Sequence, residues 1–94
     1  MNNELKITDI SIHIVRHSSG RLKAIARIVL NEQLQLTNLR IFDGMNGLFV
    51  AYPIEFTQNE DELRQVFYPV NKEFREYVEM EVICAYGKQA EMIV

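Results

Sequence analysis

RIFDGMNGLFVAYP, residues 40–53, sets two glycines three apart between two apolar runs, one glycine behind Asp43 and the other behind Asn46. A phosphate cradle of the P-loop kind needs more glycines, a Lys-Ser/Thr pair and a helix that opens at once, so that several free N–H groups converge on the anion. None of these follows here. The run LFVAYP is too short and too continuous for a helix and is closed by Pro53, which reads as a strand. Asp-Gly and Asn-Gly tolerate positive φ in tight β connections. Residues 40–53 are therefore predicted to be the meeting of a third and a fourth strand at a DGMNG turn.

Working outward toward the N-terminus, Ile10, Ile12 and Ile14 alternate with Ser11 and His13, the pattern of a half-buried strand. In the next segment Leu22, Ala24, Ala26, Ile28 and Leu30 point one way, toward a core. Arg21, Lys23, Ile25, Arg27 and Val29 point the other way and make a basic face. RHSSG, residues 16–20, supplies the turn between the two strands, which form an antiparallel hairpin. Asn31 and Glu32 make a short break before Leu34, Leu36, Leu39 and Ile41. The phase of that third strand slips near Asn38, and a β-bulge there reconciles its halves.

Toward the C-terminus, IEFTQNEDE (54–62) is polar and unpatterned and is predicted to be an exposed loop, with a short strand over 63–68. Asn71 is a good N-cap, Glu73 suits the first turn of a helix, and Gly87 is a natural stop, so one amphipathic helix is predicted over 72–86. Phe74, Tyr77, Val78, Val82 and Ala85 form its apolar stripe, with Lys72, Glu76 and Glu79 toward solvent. Glu81 interrupts the stripe and must reach a solvated edge or a cation. The tail KQAEMIV ends apolar, and the pattern leaves open whether it frays or pairs as a last strand. No repeat or linker divides the chain. The expected fold is α+β, an antiparallel β-meander of four to five strands followed by one C-terminal helix, with residues 1–94 as a single domain.

Composition excludes several classes. At 48 % hydrophobic and 24 % charged residues, the chain is not of the disordered kind. No apolar run approaches the roughly 18 residues that span a bilayer, and the N-terminus has no signal-peptide pattern, so a cytoplasmic protein without membrane insertion is expected. The one cysteine, Cys84, rules out an internal disulfide and reads as a small buried hydrophobe. His13 and His17 are four apart, but on a strand that is roughly 13 Å, too far for one metal ion. Ser18, Ser19, Thr8 and Thr37 lack a nucleophile context, so no catalysis, no cofactor and no small-molecule substrate are expected. The acidic run Glu60, Asp61, Glu62 lacks the spaced oxygens of a calcium loop and reads as solvated surface.

The net charge of −3 hides a division along the chain. Residues 1–40 carry six basic against three acidic side chains, and the remainder four against ten. The basic strand face of Arg21, Lys23 and Arg27, with Arg16 and Arg40 beside it, suits the neutralisation of phosphates, although no aromatic residue is interleaved in that strand for base stacking.

Taken together, KITDI (6–10), SGRLKAIARIVL (19–30), LRIFDGMNGLFVAYP (39–53) and YPVN (68–71) resemble the pattern of the bacterial SpoVG family, over nearly the whole chain to about Tyr86. The resemblance implies a small homodimer joined through its sheets. It also implies a non-enzymatic regulator that binds DNA or RNA and acts in cell-division septation, sporulation and gene expression. Arg21 and Lys23 match the family's Gly-Arg-(Leu/Met)-(Lys/Arg) positions, Arg40 the basic position before the loop, and Arg64 and Arg75 two later basic positions. With Arg27 these are the candidate nucleic-acid-binding residues. The chain departs from the family after Pro53, where Ile54, Glu55, Phe56 and Thr57 replace a Ser-Lys-Arg-Thr-like basic loop. That exchange predicts weaker phosphate binding with a flatter salt dependence. Tyr68 replaces a histidine, and the family's long polar tail is short here. The competing reading is a protein-interaction adaptor in septation that uses the acidic helix and the 54–62 loop.

Overall fold

The computed structural model describes residues 4–16, 20–56 and 62–93. β1 (Ile7–Ile14), β2 (Leu22–Leu30), β3 (Leu34–Gly44) and β4 (Gly47–Ala51) form one antiparallel sheet in the order β1-β2-β3-β4, the expected meander. β5 (Ile54–Phe56) and β6 (Leu63–Gln65) form a separate two-stranded ribbon, and α1 (Lys72–Ile93) closes the α+β fold.

The alternation in β2 does what it predicts. Ala24, Ala26, Ile28 and Leu30 are buried, and with Leu39 and Ile41 of β3, Val50 of β4, and Val78 and Val82 of α1 they make the core. Leu22 is an exception: it pairs with Phe42 ahead of a register shift at Leu22/Ala24 and stays outside that core. The slip expected in β3 is a bulge. Ala26 faces Leu39 but Ile28 faces Leu36, so Thr37 and Asn38 together oppose Arg27, and Asn38 takes a left-handed φ of 63°.

Two turns fix the register. Between β2 and β3, Asn31 (φ 52°) and Glu32 (φ 57°) are both left-handed, and the Gln33 N–H closes on the Leu30 carbonyl at 2.9 Å. The Asn31 N–H donates to the Lys6 carbonyl at 2.8 Å, and its Oδ1 accepts from the Lys6 N–H at 2.7 Å, which ties the entry of β1 to this turn. Between β3 and β4, Gly44 pairs with Gly47, and Gly47 carries the positive φ of 110°. The DGMNG segment is thus a hairpin turn. The RHSSG turn expected between β1 and β2 falls partly on residues 17–19, outside the described residues; its flanking strands pair from Ile14↔Ala24 to Ile7↔Leu30.

Asn71 caps α1 as expected, its Oδ1 accepting from the Phe74 N–H at 2.9 Å. Phe74, Tyr77, Val78 and Val82 of the expected stripe pack into or against the core, joined by Ile83 and Tyr86, whereas Ala85 is half-buried outside that cluster; Glu81 reaches solvent. Three expectations are corrected. The helix does not stop at Gly87 but runs on to Ile93, because Lys88, Gln89, Ala90, Glu91 and Met92 are all good helix formers. Beyond that glycine the Gln89 Nε2 donates to the Ile12 carbonyl at 2.8 Å, so the tail neither frays at this point nor adds a strand. Cys84 is exposed rather than buried. The 54–62 segment begins as strand β5 rather than loop, and residues 57–61, with Glu60 and Asp61, lie outside the described residues.

Candidate nucleic-acid interface

The helix covers one face of the sheet and leaves the other open. Strand alternation sends every second residue to that open face, and cross-strand pairing lines them up. One row runs His13, Ile25, Arg40 and Ala51, and the next places Ser11 opposite Arg27. The Arg27 Nη2 donates to Ser11 Oγ at 2.8 Å, which ties the guanidinium to β1. A shallow depression of about 360 Å³ lies there, lined by Ser11, His13, Ile25, Arg27, Thr37 and Asn38. Neither Arg27 nor Arg40 is ion-paired among the described residues; the one such pair is elsewhere.

On the same face Phe42 pairs with Phe49, their rings stacked at 5.7 Å between centroids and 26° between planes. Phe49 is 44 % exposed. Phe42 stands two residues from Arg40, about 7 Å along the strand. The basic strand lacks aromatics, as its sequence says, but its neighbours bring two to its side. Gly44 packs against this pair so closely that a Cβ there would sit 2.9 Å from the Phe49 ring. The signal for this pair was in the sequence: a turn centred on Met45 and Asn46 places 42 opposite 49.

The six candidate cations separate. Arg27 and Arg40 share the open face. Arg21 is exposed at the head of β2, where its carbonyl accepts from the Asp43 N–H at 2.9 Å, and Lys23 is half-buried at the register shift. Arg64 is bound to Glu55 on the ribbon, with Nε at 3.1 Å and Nη2 at 3.0 Å from one carboxylate oxygen. That pair is exposed and contributes little stability, but it cancels the charge of Arg64 locally. Glu55, one of the departures from the family's basic loop, thus adds an acid and also engages a neighbouring cation. Arg75 lies on α1, on the covered side of the sheet, and its Nη2 donates to the Pro69 carbonyl at 2.9 Å.

A second feature lies between the helix start and the β2–β3 end of the sheet. This groove, about 880 Å³, is walled by Leu30, Leu34, Leu36, Tyr52, Phe67 and Phe74 among others. The Tyr52 hydroxyl is buried with no hydrogen-bond partner among the described residues. Burial pushes its phenol above the ordinary value of 10.0, Glu79 adds to the rise and Arg75 opposes it. Glu79, expected toward solvent, is half-buried. Among the described residues no cluster of histidine, cysteine and carboxylate side chains is suited to a metal ion; His17 is not among them.

The SpoVG family model matches residues 5–88. The chain belongs to the SpoVG family. It is similar to the protein named "Putative septation protein SpoVG" of Shouchella clausii, 36 % identical over 87 residues that cover 93 % of this chain and 87 % of that one. The protein of the same name from Oceanobacillus iheyensis is 34 % identical over 87 residues, 93 % of this chain and 88 % of its own. That of Staphylococcus saprophyticus is 34 % identical over 89 residues, 95 % and 86 % respectively. The SpoVG match contains both phenylalanines of the open face and all six candidate cations. It ends at Lys88, so the Gln89 bond to β1 lies just beyond it.

Proposed function

We propose that this SpoVG-family chain is a homodimeric, cytoplasmic nucleic-acid-binding regulator of gene expression that serves cell-division septation and sporulation and has no catalytic activity. The observation that carries the reading is the open sheet face, where Arg27 and Arg40, free of carboxylates among the described residues, stand beside the Phe42–Phe49 stack. Guanidinium groups on a flat surface neutralise phosphates, and exposed aromatic rings receive unpaired bases. A single strand satisfies both, whereas a duplex hides its base faces, so single-stranded RNA or DNA is the preferred ligand. The relatives' shared name, a septation protein, supports the cellular setting.

Fluorescence anisotropy with labelled single-stranded RNA and duplex DNA across a salt series tests it. The logarithm of affinity falls with the logarithm of salt, and Arg27→Ala and Arg40→Ala each lower that slope by about 1 while Arg75→Ala leaves it unchanged. Phe49→Ala costs about 1–3 kcal/mol on the single strand and little on the duplex. Absence of binding at low salt from folded protein refutes the proposal.

A second reading, a protein-interaction adaptor in septation, draws on the helix, where Glu73, Glu76, Glu81 and Glu91 are exposed and unpaired among the described residues. Affinity capture that recovers a basic protein partner and no nucleic acid would favour it.

A further inference from the structure

The bulge in β3 does more than restore the register. On a regular strand residues 37 and 38 would face opposite ways, one of them inward. Here Leu36 and Leu39 both turn to the core side, so Thr37 and Asn38, adjacent and exposed, line the depression on the open face. Both stand opposite Arg27, and Asn38 holds its left-handed φ of 63°. Neither the Thr37 hydroxyl nor the Asn38 carboxamide has a hydrogen-bond partner among the described residues. The Arg27 guanidinium carries several N–H donors and Ser11 takes one of them, so the fork that remains is anchored. Half-buried Ile25 gives the depression an apolar patch, and no carboxylate lines it among the described residues.

We propose that this depression is the seat of one base of the bound single strand, and that the base is guanine. The inference rests on the nucleic-acid reading of this face and adds what the face selects. A guanidinium only donates, so the base edge that meets its fork must only accept. Guanine sets O6 and N7 side by side, the pair that arginine reads most often. Adenine places an amino donor beside its N7 and would turn it toward donors. Uracil has its two carbonyls separated by an N–H, and cytosine, although it has adjacent acceptors, lays only one ring on Ile25. On guanine the N1–H lies next to O6, where the Asn38 carboxamide oxygen can accept it. Asn38, Arg40 and Phe42 succeed one another on β3 in steps of roughly 7 Å. The seat and the Phe42–Phe49 stack therefore take different bases of one strand, with Arg40 between them for the phosphates.

The experiment is fluorescence anisotropy on the full chain with labelled oligouridylates of one length that carry guanine, adenine, cytosine or a further uracil at the central position. Wild type is expected to bind the guanine strand about tenfold more tightly than the all-uracil strand, the discrimination of one bidentate contact. A strand with 7-deazaguanine at that position, which lacks the N7 acceptor, is expected to lose most of this gain. Asn38→Gly keeps the left-handed backbone and removes the carboxamide, whereas Arg27→Lys keeps the charge and removes the fork. In each variant, with folding checked by circular dichroism, the guanine preference is expected to fall to about threefold or less. Arg27→Lys should meanwhile retain the salt slope that Arg27→Ala lowers. A guanine preference that persists in both variants, a 7-deazaguanine strand bound as tightly as the guanine strand, or single-strand binding that prefers no base or a different one overturns the seat and leaves the nucleic-acid reading standing. Failure to bind any of the strands at low salt overturns both.

Discussion

Glu32 sits at φ 57° without the short polar side chain that makes Asn31, at 52°, tolerant of the left-handed region. Its contribution is made by the backbone, whose N–H donates to Thr8 Oγ1 at 2.9 Å. Glu32→Gly keeps that bond and relieves the strain, so it is expected to raise stability by about 1 kcal/mol in urea denaturation. A loss of stability would show that the Glu32 side chain contributes something the contacts do not reveal. Tyr52 gives the second residue-level prediction. Its folded pKa is raised above 10.0, so its contribution is fully present below pH 10. Above that, the unfolded chain ionises first and stability falls as pH rises through the folded value. Tyr52→Phe should flatten this alkaline limb of a stability–pH curve, and an unchanged limb would assign it elsewhere. Some single residues were legible in the sequence and others were not. Asn38 announced its bulge by breaking the alternation and by being a residue that accepts positive φ. Cys84 was misread from the apolar run around it, although two residues past the buried Val82 turn a helix by about 200°, away from the core.

The helix shows how a local stop signal loses to its surroundings. Gly87 favours termination only where the chain beyond it has no reason to stay helical, and here good helix formers and the Gln89–Ile12 bond supply one. Gly87 is then an interior helical glycine whose added Cβ would meet nothing within 4 Å. Gly87→Ala is expected to stabilise the protein by about 1 kcal/mol, read as an increased denaturation midpoint with an unchanged m-value. Destabilisation would mean that the last turns are not helical in solution. The strands of the main sheet were legible because one face is buried, which imprints a period of two on the sequence. The ribbon was not, since IEF and LRQ bury nothing in their own chain and so carry no such imprint. The open face was half legible. Arg27 follows from the alternation of β2, whereas Arg40, Phe42 and Phe49 join it only through the register of β3 and β4.

At the scale of the molecule, the division of charge along the chain becomes a division between faces. The basic half supplies β1, β2 and most of β3, and the acidic half supplies the helix that covers the sheet's other side. A chain with net charge −3 can therefore present arginines to a polyanion, provided that it approaches by the sheet. The size of the chain bears on its stability as well. Ninety-four residues bury a modest core, and exposed apolar groups on ribbon and groove add nothing to it until a partner covers them. If the chain folds as the proposed homodimer, then unfolding separates two chains and the melting temperature depends on protein concentration. Each tenfold increase adds about 1.4 kcal/mol per dimer, which for two chains of this length moves the midpoint by about 3 °C. Differential scanning calorimetry over a hundredfold range of protein concentration should show that drift. A midpoint independent of concentration would mean that the single chain reaches its full stability alone.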